Sequence, residues 1–465
     1  MSFRIGSLRT APRIMQLLIL FLCVAVLLVA ISGWKLHPFL ALLAIGLLYG
    51  IACGLGPVRS VELLTEGFAG TLQWIAIIMV LGAMIGEISN DTGGASLIAR
   101  STLKLSGEKR LPYAMGITGY IISIPVFVDV AYIMMQSVTE ALAAKSKQNI
   151  LGVGLSLATG LTATHALMPP TPGPLAVAGI LDGQLGRIIL INFFVAFSAM
   201  AGGLAWAIFY CRKVELDADR IIRERYASKS KDTLSKGVSS DSKSQPHNQS
   251  IWIACLPIFA PLVLIAIGSF TPSESTNHWS TMARFLGSPL VALSIGVILA
   301  TLQYGRDVSM SRLSSVTERA IEKTALVVML TGAGGAFGHV IKNSGVTETI
   351  SQYASEIESV GFLFPFLLAS IITTTTGSIT VSMITTASIV APALTTLGIS
   401  AEMAAALIGS GSFCVFHVNS SFFWLLNRLH DAPPTVLLKT YTVQSLCMGL
   451  GALAAVLLLK LCGLQ

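Results

Sequence analysis

Residues able to do chemistry lie in two short polar stretches inside very apolar sequence. Asp129 ends the stretch ISIPVFVD (122–129), and the stretch TTTTGSIT (373–380) places hydroxyls on both sides of Gly377. A carboxylate in a membrane is costly and by default marks the path of an ion or a substrate. Hydroxyls beside a helix N-terminus favour a polyol or a carboxylate. These residue types indicate a site for a small anion, with Asp129 as a coupling or substrate-site group.

Two histidines open further polar breaks. His165 precedes the run PPTPGP, whose prolines cannot share a regular helix, and His417 precedes Asn419 and Ser420. Histidine can donate hydrogen bonds to an anion and can change charge near neutral pH. Each feature also has a structural interpretation: a proline kink, a helix-capping carboxylate, a hydrogen-bonding histidine, or hydroxyls bonded to their own helix.

These breaks recur at a constant spacing of 252 residues. Pro125 corresponds to Gly377 and His165 to His417. The same offset relates Gly86, Thr92 and Gly93 to Gly338, Ser344 and Gly345. Separate matches without a gap predict a duplicated chain with a broken element in the middle of each half. Sites of this kind are typical of transporters that bind substrate near the bilayer midplane.

Composition places the chain in the membrane. Of its 465 residues, 53% are hydrophobic and 11% are charged, and the mean hydropathy is +0.75. Soluble domains carry roughly 25% charged residues, so an all-α polytopic membrane protein is predicted.

The seven cysteines lie in apolar stretches without CxxC spacing, which favours buried free thiols. The sequence has no HExxH, GxxxxGK[ST] or paired CxxC motif, so no metal or cofactor is expected.

Apolar runs of the length that spans a bilayer, roughly 20 residues, occur at eight places. They are residues 16–33, 37–55, 71–90, 185–211, 251–270, 286–303, 324–341 and 436–461. Between 112 and 182, and again between 363 and 431, the runs are shorter and interrupted. Because lipid cannot satisfy free backbone groups, these interruptions must be covered by protein or face a water-filled cavity.

The charge of the connecting segments indicates orientation. Residues 98–112 carry four bases and one acid, whereas the equivalent residues 350–364 carry only Glu356 and Glu358. Positive loops stay in the cytoplasm, so the two halves are predicted to be inverted. On this interpretation 112–142 enters from the cytoplasm as a re-entrant hairpin, and 363–396 enters from outside. The net charge of +7 is likewise attributed to loops beside anionic lipid, not to nucleic-acid binding.

Three segments are predicted along the chain. Residues 1–211 form the N-terminal repeat and 251–465 the C-terminal repeat, joined by a polar cytoplasmic linker at 212–250. The side of the N-terminus stays open: Arg4, Arg9 and Arg13 favour the inside, whereas counting spans places it outside.

With these stretches in view, the chain resembles the gluconate permease family of bacterial proton symporters, within the ion transporter superfamily. The matching motifs are GEISNDTGGA (86–95), IPVFVDVAY (124–132), THALMPPTPGP (164–174), GGAFGHVIKNSGV (334–346), TGSITVSMITTASIVAP (376–392) and HVNSSFFWL (417–425). The resemblance implies uptake of a sugar acid such as gluconate across the bacterial inner membrane. Relatives carry D-serine or hydroxy acids. It also implies a dimerising scaffold domain and a transport domain that moves as an elevator.

Motif matching and the residue types together define the candidate site. The family's polar tips fall on Asp129, His165, Gly377, Ser378, His417 and Asn419. The candidate substrate-binding residues are Pro125, Thr164, His165, Thr376, Gly377, Ser378, Thr380, His417, Asn419 and Ser420, and the coupling residue is Asp129. Relatives usually have His at the position of Thr171, Asp at that of Ser420 and often Glu at 129. These departures bear on the substrate and on the coupling stoichiometry.

The resulting hypothesis is a homodimeric secondary transporter for a small anionic hydroxycarboxylate, driven by protons, with sodium coupling left open. A channel is the competing class, since broken helices also line pores. An enzyme or a receptor would need a catalytic pair or a soluble sensor domain, and the sequence indicates neither.

Overall fold

We describe a computed structural model of the chain. It describes residues 13–94, 97–98, 101, 110–214, 216, 251–271, 277–346, 361–418 and 420–463. Lys104, Glu356, Glu358 and most of the linker at 212–250 lie outside these ranges, so the predicted sidedness and the linker stay predictions.

Within the described ranges every regular element is helical. The helices are α1 (Arg13–Leu28), α2 (Pro38–Ala52), α3 (Pro57–Asp91), α4 (Leu111–Ile122), α5 (Val128–Lys145), α6 (Ile150–Leu167), α7 (Pro172–Ile180), α8 (Leu185–Phe209), α9 (Ile251–Phe270), α10 (His278–Leu286), α11 (Pro289–Thr301), α12 (Met310–Lys342), α13 (Phe364–Thr376), α14 (Ile379–Val390), α15 (Ala401–Ser412), α16 (Ser421–His430), α17 (Pro434–Leu437) and α18 (Val443–Leu461). A π-helical turn, Leu438–Thr442, joins α17 to α18.

Several of these helices are long and apolar enough to cross a membrane. Five described segments meet that test, or seven if two bent pairs each count as one span. The predicted spans 185–211, 251–270, 324–341 and 436–461 fall within such helices. The runs 16–33 and 37–55 were predicted as full spans but form shorter helices: the π-helical turn at Val29–Gly33 ends the first, and α2 has only 15 residues.

The predicted interruptions are breaks between helices. Residues 123–127 separate α4 from α5, Gly377 and Ser378 separate α13 from α14, and residues 413–420 separate α15 from α16. The proline-rich run also unwinds as predicted, because α6 ends at Leu167 and α7 begins only at Pro172. Proline at the first position of a helix removes only an N–H that would be unpaired there anyway.

The order of helices recurs at the same 252-residue offset. Shifted by 252 residues, α3, α4, α5 and α6 begin within one residue of α12, α13, α14 and α15, whereas α5 and α6 run seven residues beyond the ends of α14 and α15. Packing follows the same relation: α3 packs on α12 and α8 on α18, each helix against its own equivalent. The pair α4–α6 likewise repeats as α13–α15. The helix order and these contacts therefore follow the 252-residue offset found in the sequence.

An ion network joins α3 to α12. Glu87 is 6% exposed and lies against Arg319 and Lys323. One turn later Asp91 pairs with Arg312 at 2.9 Å and accepts a hydrogen bond from the Tyr304 hydroxyl. Glu87 lies near the end of α3, and α12 supplies its partners. Because Glu87 is buried while its basic partners are partly exposed, removal of both partners would leave a buried charge uncompensated, and the network therefore links α3 to α12.

All seven cysteines are free thiols. Cys53, Cys211 and Cys414 are buried as expected, whereas Cys462 is exposed. Cys462 follows the end of α18, so its exposure reflects its position at a helix end.

We expect α4 and α6 to tolerate no side chain where their backbones cross. A Cβ on Gly160 would overlap the carbonyl oxygen of Gly116, so Gly160→Ala should lower the free energy of unfolding by about 1–3 kcal/mol or more. Thermal unfolding of the purified protein in detergent measures this. Gly70→Ala is the matched control, since nothing lies within 4 Å of its Cβ. An unchanged midpoint for Gly160→Ala would contradict the close crossing of the two helices.

Candidate functional site

One cavity lies between the two broken helix pairs and draws on both halves of the chain. It encloses about 190 Å³, below the roughly 300–1,000 Å³ of sites for drug-sized ligands, so its occupant must be small. Its lining consists of Phe127, Val128, Asp129, Thr162, His165, Gly377, Ser378, Ile379, Thr380, Phe416, Ser420, Ser421, Phe422 and Tyr441. We call it the central pocket.

Helix N-termini form much of its wall. The break before α5 ends at Phe127, so Asp129 lies in the first turn of α5. Gly377 ends α13 with φ of 71°, a left-handed conformation that glycine adopts without strain. Ser378 then caps α14, its hydroxyl oxygen accepting a hydrogen bond from the Val381 N–H at 3.3 Å. Ser420 holds the capping position before α16. Three helices therefore begin at this pocket.

The electrostatics of the pocket favour an anion at one end. A helix N-terminus carries about half a positive charge, on N–H groups that have no partner within the helix. Asp129 already occupies that position on α5, and its exposed side chain shows that the pocket opens to the surface. The starts of α14 and α16 carry hydroxyls instead of acids. Among the described lining residues Asp129 is the only acid, and none is Lys or Arg.

His165 is poised toward the pocket from α6. Its ring lies 5.7 Å from that of Phe127, centroid to centroid. Its Nδ1 atom is buried and has no hydrogen-bond partner among the described residues. A buried polar atom without a hydrogen-bond partner destabilises the fold by about 1–3 kcal/mol. A ligand or water that formed a hydrogen bond with this nitrogen would recover that free energy.

The structure brings six predicted site residues together and leaves four apart. Asp129, His165, Gly377, Ser378, Thr380 and Ser420 line the central pocket. Pro125, Thr164, Thr376 and His417 do not line it. Asn419 lies outside the described residues.

Each of the four outlying residues is engaged elsewhere. Pro125 lies under α3, where its carbonyl oxygen meets the Gly86 backbone. The hydroxyls of Thr164 and Thr376 donate to carbonyl oxygens four residues earlier in their own helices, at 3.0 and 2.7 Å. His417 donates from Nε2 to the carbonyl oxygen of Thr374 at 2.8 Å, so it supports the α13 tip from outside the pocket.

Several lining residues were missed in the sequence. Thr162 precedes His165 by three residues on α6, so helical spacing could have placed both on one face. Ser421 follows Ser420 and could have been included on the same grounds. Tyr441 belongs to the π-helical turn before α18, and no local pattern indicates that it folds back onto Asp129.

A buried polar pair supports the pocket from behind. The Tyr132 hydroxyl and His430 Nε2 share a hydrogen bond of 2.7 Å, and both side chains are buried. Tyr132 also meets Phe422 edge to face at 5.3 Å, and Phe422 lines the pocket. Because Tyr132 lies one turn after Asp129 on α5 and His430 ends α16, the pair fixes two pocket-forming helices against each other.

Comparison with known proteins places the chain among permeases. A sequence model of the family described as GntP family permease matches residues 15–462. An uncharacterised permease of Haemophilus influenzae is 30% identical over 88% of this chain and 85% of its own length. A gluconate permease of Pseudomonas aeruginosa is 29% identical over 94% of this chain and 95% of its own.

The fold has a solved counterpart. The YdaH transporter of Alcanivorax borkumensis superposes with a TM-score of 0.62 over 97% of this chain and 99% of that one. At 16% identity this likeness concerns the fold alone.

We expect Tyr132 and His430 to be coupled energetically. Tyr132→Phe leaves a histidine nitrogen unpaired and His430→Leu leaves a hydroxyl unpaired, so each should cost about 1–3 kcal/mol of stability. The double variant should cost less than the sum, by about 1 kcal/mol, as measured by thermal unfolding in detergent. Tyr113→Phe, at a residue 51% exposed, is the control and should change nothing. Strictly additive losses would show that the two side chains do not support each other.

Proposed function

Because the chain belongs to the GntP permease family, we propose that it is a secondary transporter that imports gluconate or a closely related sugar acid together with protons. The observation that carries this proposal is the central pocket: hydroxyls at two helix N-termini facing a single carboxylate. Such a lining suits a small anion that also bears hydroxyls. The related gluconate permease of Pseudomonas aeruginosa supports the choice of gluconate.

The substrate carboxylate would bind at the start of α14. There the Ile379 and Thr380 N–H groups stand in the first turn and can donate to an anion, together with the Ser378 hydroxyl. The Ser378 oxygen accepts from Val381, which leaves its hydrogen available to the ligand. The same groups would stabilise a negative charge without a basic side chain.

The hydroxyl groups of the substrate would meet the remaining polar lining. Thr162, Ser421 and Tyr441 each place a hydroxyl at the pocket, and none has a side-chain hydrogen bond to another described residue. His165 Nδ1 adds a nitrogen that lacks a protein partner. A pocket whose polar groups need a ligand discriminates against molecules that lack hydroxyls, because those groups would then stay unpaired.

Asp129 would couple proton movement to binding. An ionised Asp129 and a substrate carboxylate in one small pocket repel each other, so binding of the anion favours the protonated form of Asp129. Release of the substrate then favours loss of the proton. Sodium bound beside Asp129 would satisfy the same electrostatic requirement and is the alternative coupling ion.

We further propose that the two halves have inverted topology and that transport uses an elevator movement in a homodimer within the bacterial inner membrane. The self-paired packing of α3 with α12 and of α8 with α18 supports an approximate two-fold relation between the halves. An odd number of crossings in each half would make that relation an inversion. The helix pair α3–α12 would belong to the static scaffold.

A pH gradient should drive uptake, and Asp129→Asn should abolish that drive. In proteoliposomes with an inward proton gradient, labelled gluconate should accumulate without sodium in the native protein. The Asp129→Asn variant should still exchange labelled for unlabelled substrate, because its binding groups remain. Glu318→Gln, at an exposed site on α12, is the control. Full gradient-driven uptake by Asp129→Asn would show that Asp129 does not couple proton movement to transport. Uptake by the native protein that requires sodium would show that the proton is not the coupling ion.

The same preparation separates a carrier from a channel. Counterflow of labelled substrate against an equal gradient is a property of a carrier with alternating access. If labelled gluconate only equilibrated down its gradient, the transporter proposal would fail.

The Ser378 hydroxyl should contribute mainly to substrate affinity. We expect Ser378→Ala to raise KM about 5-fold, since one hydrogen bond is worth about 1 kcal/mol. Ser378→Thr should restore KM because it keeps both the cap and the hydroxyl. Thr375→Ala is the control, since its hydroxyl donates to the Ile372 carbonyl oxygen and does not line the pocket. An unchanged KM for Ser378→Ala would contradict binding at the start of α14.

A further inference from the structure

A second cavity, of about 350 Å³, lies at the surface where the ends of four helices meet. It is bounded by the start of α8, the end of α9, the start of α15 and the last turn of α18. It shares no lining residue with the central pocket. We call it the surface groove, and the proposed function does not use it.

The walls of the surface groove are apolar and partly face outward. Phe194 is 61% exposed and Phe270 is 57% exposed. Leu190, Ile191 and Leu459 complete these walls. The helices that carry the five side chains, α8, α9 and α18, lie in segments long and apolar enough to span a membrane. A groove with exposed apolar walls on such segments is suited to an acyl chain of the bilayer.

One end of the surface groove carries two opposite charges that do not pair with each other. Arg187 lies in the first turn of α8, and Glu402 lies in the first turn of α15. Among the described residues Arg187 has no hydrogen-bond or ion-pair partner. Glu402 Oε1 accepts a hydrogen bond from the Gln184 N–H at 3.0 Å, which leaves Oε2 available. A ligand that bears both an anionic and a cationic group can pair with both side chains.

The charged end lies where spanning segments begin and end. The candidate span Leu185–Lys213 begins two residues before Arg187, and the span Ile251–Phe270 ends at the groove. Side chains at the ends of spans lie at the level of the lipid headgroups. Phe194 is seven residues beyond Arg187 on α8, which is about 10 Å further along the helix at 1.5 Å per residue. The surface groove therefore has charges at headgroup depth and apolar walls deeper in the bilayer.

We propose that the surface groove binds one molecule of an aminophospholipid such as phosphatidylethanolamine. The lipid phosphate pairs with the Arg187 guanidinium, and the lipid ammonium group pairs with the Glu402 carboxylate. One acyl chain lies along Leu190 and Phe194. Arginine can donate two parallel N–H bonds to a phosphate, and a carboxylate oxygen accepts from an ammonium N–H. A lipid with a phosphate and no ammonium group would place its negative charge beside Glu402 without compensation.

The bound headgroup joins two helices that already meet at this place. The hydrogen bond from the Gln184 N–H to Glu402 connects the start of α8 to the start of α15, and the headgroup adds a second bridge between them. A ligand that binds only the folded protein raises its stability. The lipid site therefore has a measurable effect that is independent of transport and of the identity of the transported substrate.

Lipids that differ only in the headgroup test the site. The purified full-length protein in a nonionic detergent is mixed with phosphatidylethanolamine, phosphatidylcholine or phosphatidylglycerol, all with identical acyl chains. Phosphatidylcholine has a trimethylated ammonium group without N–H donors, and phosphatidylglycerol has no ammonium group. We expect phosphatidylethanolamine to raise the midpoint of thermal unfolding most, and native mass spectrometry to show one such molecule retained. Glycerophosphoethanolamine, which is the headgroup without acyl chains, should not raise the midpoint.

Two variants assign the two contacts of the headgroup. Glu402→Gln can still accept from the Gln184 N–H but lacks the charge, so phosphatidylethanolamine should bind about 5-fold more weakly and lose its advantage over phosphatidylglycerol. Arg187→Gln should weaken the binding of both lipids about 5-fold, because both present a phosphate. Glu322→Gln and Arg428→Gln change exposed residues outside the groove and are the matched controls, which should leave all three lipid responses unchanged.

Three results would overturn the proposal. The first is equal stabilisation by the three lipids, or a preference for phosphatidylethanolamine that persists in Glu402→Gln. The second is stabilisation by glycerophosphoethanolamine equal to that by the whole lipid, since the apolar walls would then contribute nothing. The third is an Arg187→Gln protein with an altered oligomeric state and unaltered lipid responses, because the groove would then belong to a contact between copies of the chain.

Discussion

The need to pair every backbone hydrogen-bonding group away from water governs this structure. Lipid offers no partner to a free N–H or C=O, so a broken helix must find partners in protein or in a water-filled cavity. At several breaks, neighbouring side chains form hydrogen bonds with the backbone groups that the helices leave unpaired. Thr373 donates to the Ser412 carbonyl oxygen, Asn192 to that of Leu167, and Ser445 accepts from the Phe416 N–H. At the start of α14 the Ser378 hydroxyl accepts from the Val381 N–H, whereas no capping side chain is seen at the starts of α5 and α16 among the described residues; all three starts face the central pocket. Backbone N–H groups without a helical partner are therefore found at the central pocket, where a polar ligand can bind them.

The positions of the breaks could be predicted from the sequence, but the composition of the pocket only in part. Prolines at 169–174 and a glycine among hydroxyls at 373–380 interrupt helices through local chemistry, which the sequence displays. Whether a residue beside a break faces the ligand depends on tertiary packing. Pro125 is covered by Gly86 of α3, and the Thr376 hydroxyl donates its hydrogen bond to a carbonyl oxygen of its own helix. Tyr441 reaches the pocket from a helix more than 300 residues beyond Asp129, and no local pattern encodes that contact.

Positions 252 residues apart lie on corresponding helices but carry different residues. Glu87 of the ion network corresponds to His339, while its partners Arg319 and Lys323 correspond to Gly67 and Thr71. One end of the α3–α12 pair is therefore held by charges. The other end borders a cavity lined by Gly67, Thr71 and His339. At that end His339 of α12 lies 3.5 Å from Glu66 of α3, so different contacts join the two helices at the two ends of the pair.

The single carboxylate of the central pocket has a consequence for the energetics of the proposed carrier. Importing an anion alone into a cell with a negative interior opposes the membrane potential by about 2.3 kcal/mol per charge per 100 mV. On the proposed mechanism the loaded pocket holds a protonated Asp129 and a substrate anion, with a net charge of −1. The empty pocket holds an ionised Asp129 and also carries −1. The membrane potential then acts equally on the movement of the loaded pocket inward and on the return of the empty pocket outward. Its two contributions therefore cancel over one transport cycle. One proton on one carboxylate is therefore enough to let the pH gradient alone drive uptake.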